Sequence, residues 1–384
     1  MGLKTLFVIT VLTSRMIMPG MPDMPAGFNI PGIGAPTRTL KMDLTSDKQV
    51  NAQSKAECAV PEGMKLGPKV DLEIPLPKPE KPTPQGKSDD TGKAEKTKFT
   101  MKMYWSCAET VPSGQPKVLD TDKMMSGVPA NDQQLQKMMQ SQQKMLARAA
   151  DESHAYWPGS KAKPIKDDAA TPGFYQLTTN YCGGTSITFD KPQDFLAPID
   201  ITSPGKGGVD LEKAIKIEWK SVPNAEAYVI TAFAGKENLM VMWTSSSQPE
   251  MMTDYMSSPL SKAEVKAHID KGLFLPPART SCSIPAGIFN GIGMPMLTMV
   301  AIGTDKTQEK DGIRTAVTVR STATVMLGAG MEGQEDAPTD QPDQATEQPA
   351  PADSGNTADT SNESTKKPNK VKDTLKGIGG LFKR

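Results

Sequence analysis

The stretch from residue 214 to 233, AIKIEWKSVPNAEAYVITAF, limits the possible folds of this chain more than any other segment. Ile215, Ile217 and Trp219 alternate with Lys216, Glu218 and Lys220, the two-residue period of a strand with one buried face. Pro223-Asn224 then supplies a turn, after which Tyr228, Ile230 and Ala232 alternate with Val229, Thr231 and Phe233. The same short period recurs along most of the chain. Leu40, Met42 and Leu44 alternate with polar neighbours, residues 70–74 repeat the pattern, and Phe99, Met101, Met103 and Trp105 share one face. Residues 174–181, 186–189, 239–244, 280–284, 297–303 and 315–326 also read as strands. Ahead of the C-terminal tail, helical periodicity is confined to residues 131–150, where Leu135, Met138, Met139 and Leu146 form a narrow apolar stripe behind an Asn131 or Asp132 cap, and to a short segment near residues 263–269. The fold expected is mainly β.

Trp219, a short turn and then Ala225-x-x-Tyr228 resemble the second and third strands of fibronectin type III domains. The run LTMVAIGTDK, followed by Asp311-Gly312 and a long alternating strand, resembles the last two. The resemblance covers residues 209–327 and implies a fibronectin type III-like β-sandwich, or another Greek-key sandwich with the same strand signature. Residues 39–203 are read as a further β-sandwich-like unit, carrying the helix at 131–150 and a Pro- and Lys-rich loop at 75–98.

The two ends differ from this middle. The first fourteen residues, MGLKTLFVITVLTS, place one Lys ahead of an apolar run from Leu6 to Leu12, the layout of an export signal too short to span a bilayer as a helix. Residues 15–38 are a Met-, Pro- and Gly-rich spacer without period. At the other end, residues 328–369 have a composition that buries too little apolar surface to offset chain entropy, so a disordered tail is expected. Residues 370–384 regain a pattern: Val371, Leu375, Ile378 and Phe382 fall on one helical face. With Leu381, Lys383 and Arg384 they form a basic segment fit for an anionic membrane surface or a partner's groove, the third reading being a solvated tail.

Four cysteines, Cys58, Cys107, Cys182 and Cys282, contain no C-x-x-C and allow three complete pairings. Cys107 and Cys182 each follow a strand bearing an aromatic and form the favoured pair, against the alternative of four free thiols. Catalytic signals are sparse. The two histidines, His154 and His268, have no triad or metal motif around them, and no G-x-S-x-G, H-E-x-x-H or P-loop pattern occurs. Met16, Met18, Met21 and Met24 are soft thioether ligands within nine positions, a candidate Cu(I) site in an otherwise low-complexity spacer. No cofactor is implied, and the lack of a basic aromatic patch argues against nucleic acid.

The expectation is therefore an exported protein of the periplasm, outer envelope or extracellular space. Its role would be non-enzymatic binding or structure, with β-sandwich edges and loops contacting a protein or surface polymer. The alternatives are copper handling through the Met-rich N-terminus, or an enzyme whose site lies in the long insertions at residues 117–171 and 248–277.

Overall fold

The computed structural model describes residues 5–18, 35–76, 100–120, 152–160, 162–205, 209–249 and 255–328. In chain order the strands begin with β1 (Thr5–Ile17), β2 (Thr37–Ser46), β3 (Ala56–Ala59), β4 (Lys69–Asp71), β5 (Thr100–Trp105), β6 (Lys117–Asp120), β7 (Ser153–Trp157), β8 (Gly173–Thr179) and β9 (Gly184–Phe189). They continue with β10 (Ile201–Ser203), β11 (Ile215–Trp219), β12 (Ala227–Lys236), β13 (Leu239–Thr244), β14 (Ser281–Ile284), β15 (Met296–Ile302), β16 (Lys306–Lys310) and β17 (Ile313–Met326). One helix, α1 (Lys262–Asp270), lies between β13 and β14. It starts at a capping box in which the Ser261 hydroxyl accepts from the Glu264 amide and the Glu264 carboxylate accepts from the Ser261 amide.

A ten-stranded sheet dominates, in the order β6–β5–β13–β12–β15–β17–β1–β2–β7, with β16 beside the first half of β17. Two smaller sheets, β10–β11–β14 and β4–β3–β8–β9, complete the set. Alternation dictates which side chains point inward. Phe7, Ile9 and Val11 of β1, Leu40, Met42 and Leu44 of β2, Ile230 and Ala232 of β12, and Val317 and Val319 of β17 all enter one buried cluster. Cys58, Tyr175 and Phe189 from the four-stranded sheet and Ile217 and Trp219 from the three-stranded sheet meet them there. The large sheet is thus one layer and the two small sheets share the other.

The Trp–turn–Tyr signature has a physical basis. The Trp219 ring on β11 packs edge-on against Tyr228 on β12 at 5.5 Å, joining the two layers. The Tyr228 hydroxyl accepts a hydrogen bond from the Val222 amide at 2.8 Å, tying down the turn in which Asn224 adopts φ +65°. The chain is mainly β, as its periodicity implies. The two expected units, however, share a sheet: strands β1, β2 and β5–β7 of the first and β12, β13 and β15–β17 of the second pair within it. The described residues accordingly belong to one compact unit.

The N-terminal run has a different place from the one expected. Residues 5–17 form β1, parallel to β17 over its whole length and antiparallel to β2, deep within the large sheet. Thr13 on β1 donates its hydroxyl proton to the Leu196 carbonyl at 2.8 Å. Cleavage after residue 14 would strip most of the strand from between β17 and β2 and open the core at Phe7, Ile9 and Val11. A removable segment 1–14 does not fit this fold. An apolar run with period two satisfies both readings, and only its pairing partners decide between them.

The spacer expected at 15–38 is divided: residues 15–17 belong to β1 and residues 37–38 to β2, and residues 19–34 lie outside the described residues. The helix expected at 131–150, most of the loop at 75–98, and all but the first residue of the tail at 328–369 together with 370–384 also lie outside them.

Candidate interaction surfaces

The outer face of the large sheet, opposite the main core, has two ends of different character. At one end Ala227, Val229, Val300 and Ile302 project outward beneath Val265 of α1 and Leu273 and Phe274 beyond it, forming a second buried cluster. The loop leading into α1 is fastened to the sheet by Arg320, an outward-facing residue of β17 that is fully buried. Its Nη1 and Nη2 donate to the two carboxylate oxygens of Asp305 at 2.6 and 2.8 Å, and its Nε and Nη2 donate to the carbonyls of Tyr255 and Ser258. Asp305 also accepts from the amides of Leu260 and Val319. Burial pushes the Asp305 carboxyl above its ordinary value, against the pull of Arg320 and these two amides. The pair leaves no polar group of either partner bare in a dry site, which is what a buried ion pair requires.

At the other end methionine replaces the aliphatics. Cross-strand register places Met103 of β5, Met242 of β13, Phe233 of β12, Met296 of β15 and Met326 of β17 side by side in one row. Met101 and Met240 form a flanking pair. Met294 packs on Gly328, where an added Cβ would come within 2.8 Å of the Met294 side chain. Between this row and the α1 end runs a band of Thr244, Thr231, Thr298 and Thr324, ending at Met16 of β1. Phe233 is 41% exposed and Met294 62%. Met103 is only 4% exposed, yet it belongs to neither buried cluster of the described residues. Thioether side chains make a soft, adaptable apolar surface of the kind used to receive a helix or loop.

A second surface is the edge at β6, which has a single neighbour, β5, among the described strands. Val118 on this edge is 55% exposed, and Val111 in the preceding loop is exposed as well. An open edge with apolar side chains is a template for pairing with another strand.

The candidate site residues fall as follows. Met16 ends the threonine band, and Met18, one position past the Ile17–Val325 pair, continues toward Met326. Met21 and Met24 lie outside the described residues, as do Val371, Leu375, Ile378, Leu381, Phe382, Lys383 and Arg384. The expected Cys107–Cys182 bond is not the one formed: Cys107 is bonded to Cys282, with Cα atoms 5.0 Å apart, and Cys182 carries a free thiol. The residues after β5 run beside β14, where the Ala108 amide donates to the Ser283 carbonyl at 3.1 Å and the Ala286 amide to the Glu109 carbonyl at 3.0 Å. That lateral contact brings Cys107 to Cys282, whereas Cys182 sits past the end of β8, its sulfur 3.3 Å from the Thr179 hydroxyl. Cys58 is buried in the core, which pushes its thiol up to about 12.

His154 lies on β7 opposite Thr45, and His268 stacks on Phe274 at 4.8 Å in the α1 cluster. Among the described residues no group of three His, Cys, Asp or Glu side chains is placed to hold a metal ion. The methionine row was half legible. Met101 and Met103 were assigned to one face of β5, and the same alternation is present at Met240 and Met242 and at Met294 and Met296. Their alignment across strands was not. Searches against protein-family models, curated proteins and solved structures found no match to this chain.

Proposed function

We propose that this chain is an exported, non-enzymatic binding or structural protein of the periplasm, outer envelope or extracellular space, which contacts a protein or surface polymer through its sheet edges and loops. The observation that carries the reading is the Cys107–Cys282 bond, which ties the segment after β5 of the large sheet to β14 in the opposite layer. A disulfide between two layers is a feature of oxidising compartments and is rare where glutathione keeps thiols reduced. The seven strands from β10 onward, excluding β16, support a fibronectin type III-like sandwich: β10–β11–β14 faces β13–β12–β15–β17, with Trp219 against Tyr228 between them. The contact surface best supported is the β6 edge with Val111 and Val118.

The test is thiol mapping on protein isolated from its own cells with free thiols blocked at lysis. The expected result is a Cys107–Cys282 linked peptide, alkylated Cys182, Cys58 alkylated only after unfolding, and recovery outside the cytoplasmic fraction. Four alkylated thiols in the cytoplasmic fraction would overturn the assignment of compartment and, with it, the envelope role.

The second reading, copper handling, is favoured by one observation: Met16 and Met18 lead directly toward the Met296–Met326 pair. Stoichiometric Cu(I) binding abolished by Met18→Ser with Met326→Ser would establish it, and no retention of Cu(I) by the intact chain would dismiss it.

A further inference from the structure

Strands β5 and β13 lie side by side and parallel, and each carries methionine at alternate positions. Their register sets Met101 opposite Met240 and Met103 opposite Met242. Residues two apart on a strand share a face, so all four side chains rise from the outer side of the sheet, away from Tyr104 and the main core. Adjacent strands are about 4.8 Å apart and same-face neighbours along a strand about 6.6 Å, so the four Cα atoms mark a rectangle with its corners about 4 Å from its centre. Methionine is unbranched and has three rotatable bonds, which lets all four sulfurs turn toward that centre.

We propose that Met101, Met103, Met240 and Met242 form a thioether site for a soft monovalent metal cation of the Cu(I) class. Thioether sulfur is a soft donor that selects Cu(I) over ions that prefer oxygen. The surroundings point the same way. The register neighbours of the block are Lys117 and Leu119 on β6 and Phe233 and Gly235 on β12, and none of these is a carboxylate. A divalent ion would therefore meet four neutral donors and the Lys117 charge, with no anion among these neighbours to balance it. Aromatic rings border the block on two sides. Phe233 stands opposite Met242, and Trp105 follows Met103 on the same face of β5, so both can draw a cation through their ring faces. Met103 is buried and the other three are half-buried, so water competes weakly for the ion. The sheet also fixes the backbone of every donor in advance, which a chain wrapping around an ion has to do at an entropic cost. The site shares no residue with the Met16–Met18 approach to Met326, because Phe233 separates Met242 from Met296 in the row. It thus stands or falls apart from that reading and from the envelope role.

Ag(I) is the probe, a monovalent ion of the same softness that keeps its oxidation state in an oxidising buffer. The full chain is isotopically labelled at its methionine methyl carbons and alkylated at Cys182, whose free thiol would otherwise compete. Silver nitrate is titrated in without chloride, and the methyl signals are followed by NMR. Saturable binding should shift the signals of Met101, Met103, Met240 and Met242, each assigned by its own Met→Leu variant. Met42, Met64 and Met299, fully buried in the main core, should not move and so report an intact fold. Met101→Leu with Met240→Leu keeps the volume and removes two donors, and should weaken binding about tenfold or more. No saturable binding, or binding that leaves these four signals in place, would overturn the proposal. Movement of the Met16, Met18, Met296 and Met326 signals instead would give the ion to the N-terminal methionines and overturn it equally. Should the double variant disturb the core signals, Met240→Leu alone, at a half-buried position, decides by the same titration: weaker binding supports the site and unchanged binding refutes it.

Discussion

Replacing Cys107 and Cys282 together by alanine removes the disulfide between the layers and leaves the contacts around it in place. The Trp243 indole N–H still donates to the Ser106 carbonyl at 3.0 Å, and the Ala108 and Ala286 amides still bond to the Ser283 and Glu109 carbonyls. The folded structure should therefore be retained, and the loss should fall mainly on the unfolded state, which the bond constrains. The bond closes a loop with a sequence separation of 175. The chain-entropy relation gives about 5 kcal/mol for a loop of this length at 25 °C. With an m-value of about 5 kcal/mol/M in guanidinium, the unfolding midpoint should fall by about 1 M. Equilibrium denaturation followed by tryptophan fluorescence measures this directly, because Trp219 and Trp243 are both buried near the link. A midpoint unchanged within error would refute the argument that this bond constrains the unfolded chain. A linked peptide joining Cys107 to Cys182 would refute the geometry itself.

Three further outcomes are expected. Arg320→Met should cost about 3–5 kcal/mol, since it strands the Asp305 carboxylate in a dry site; adding Asp305→Leu should restore most of the loss, both read as denaturation midpoints. Ile9→Ala should cost about 3 kcal/mol because Ile9 is fully buried at the middle of β1, and the intact mass of the mature chain should retain residues 5–17; a neutral effect would remove β1 from the fold. Cys58 titrates near 9 in the unfolded chain and is pushed up to about 12 when folded, so its contribution to stability is complete below pH 9 and is lost as pH rises to 12; Cys58→Ala should flatten that part of the stability–pH curve.

The sequence by itself determined the class of structure and many of its strands. Alternation at Leu40–Met42–Leu44 and at Ile215–Ile217–Trp219 reports a buried face directly, because side chains of a strand point to opposite sides in turn. The short helix α1 was legible as a segment near residues 263–269, while its Ser261–Glu264 capping box came only with the structure. What the tertiary structure decided is everything that depends on which strands are neighbours. Met101 and Met103 share a face from their spacing alone, but that this is the outer face follows from the opposite side of β5, where Tyr104 packs against the main core. The partner of Cys107 was set by β5 running on beside β14, not by the strand preceding each cysteine. The apolar N-terminal run has the period of a strand and the composition of an export signal, and only pairing with β17, some three hundred residues away, separates the two. A strand states its two faces locally, while its neighbours are chosen by contacts between distant parts of the chain.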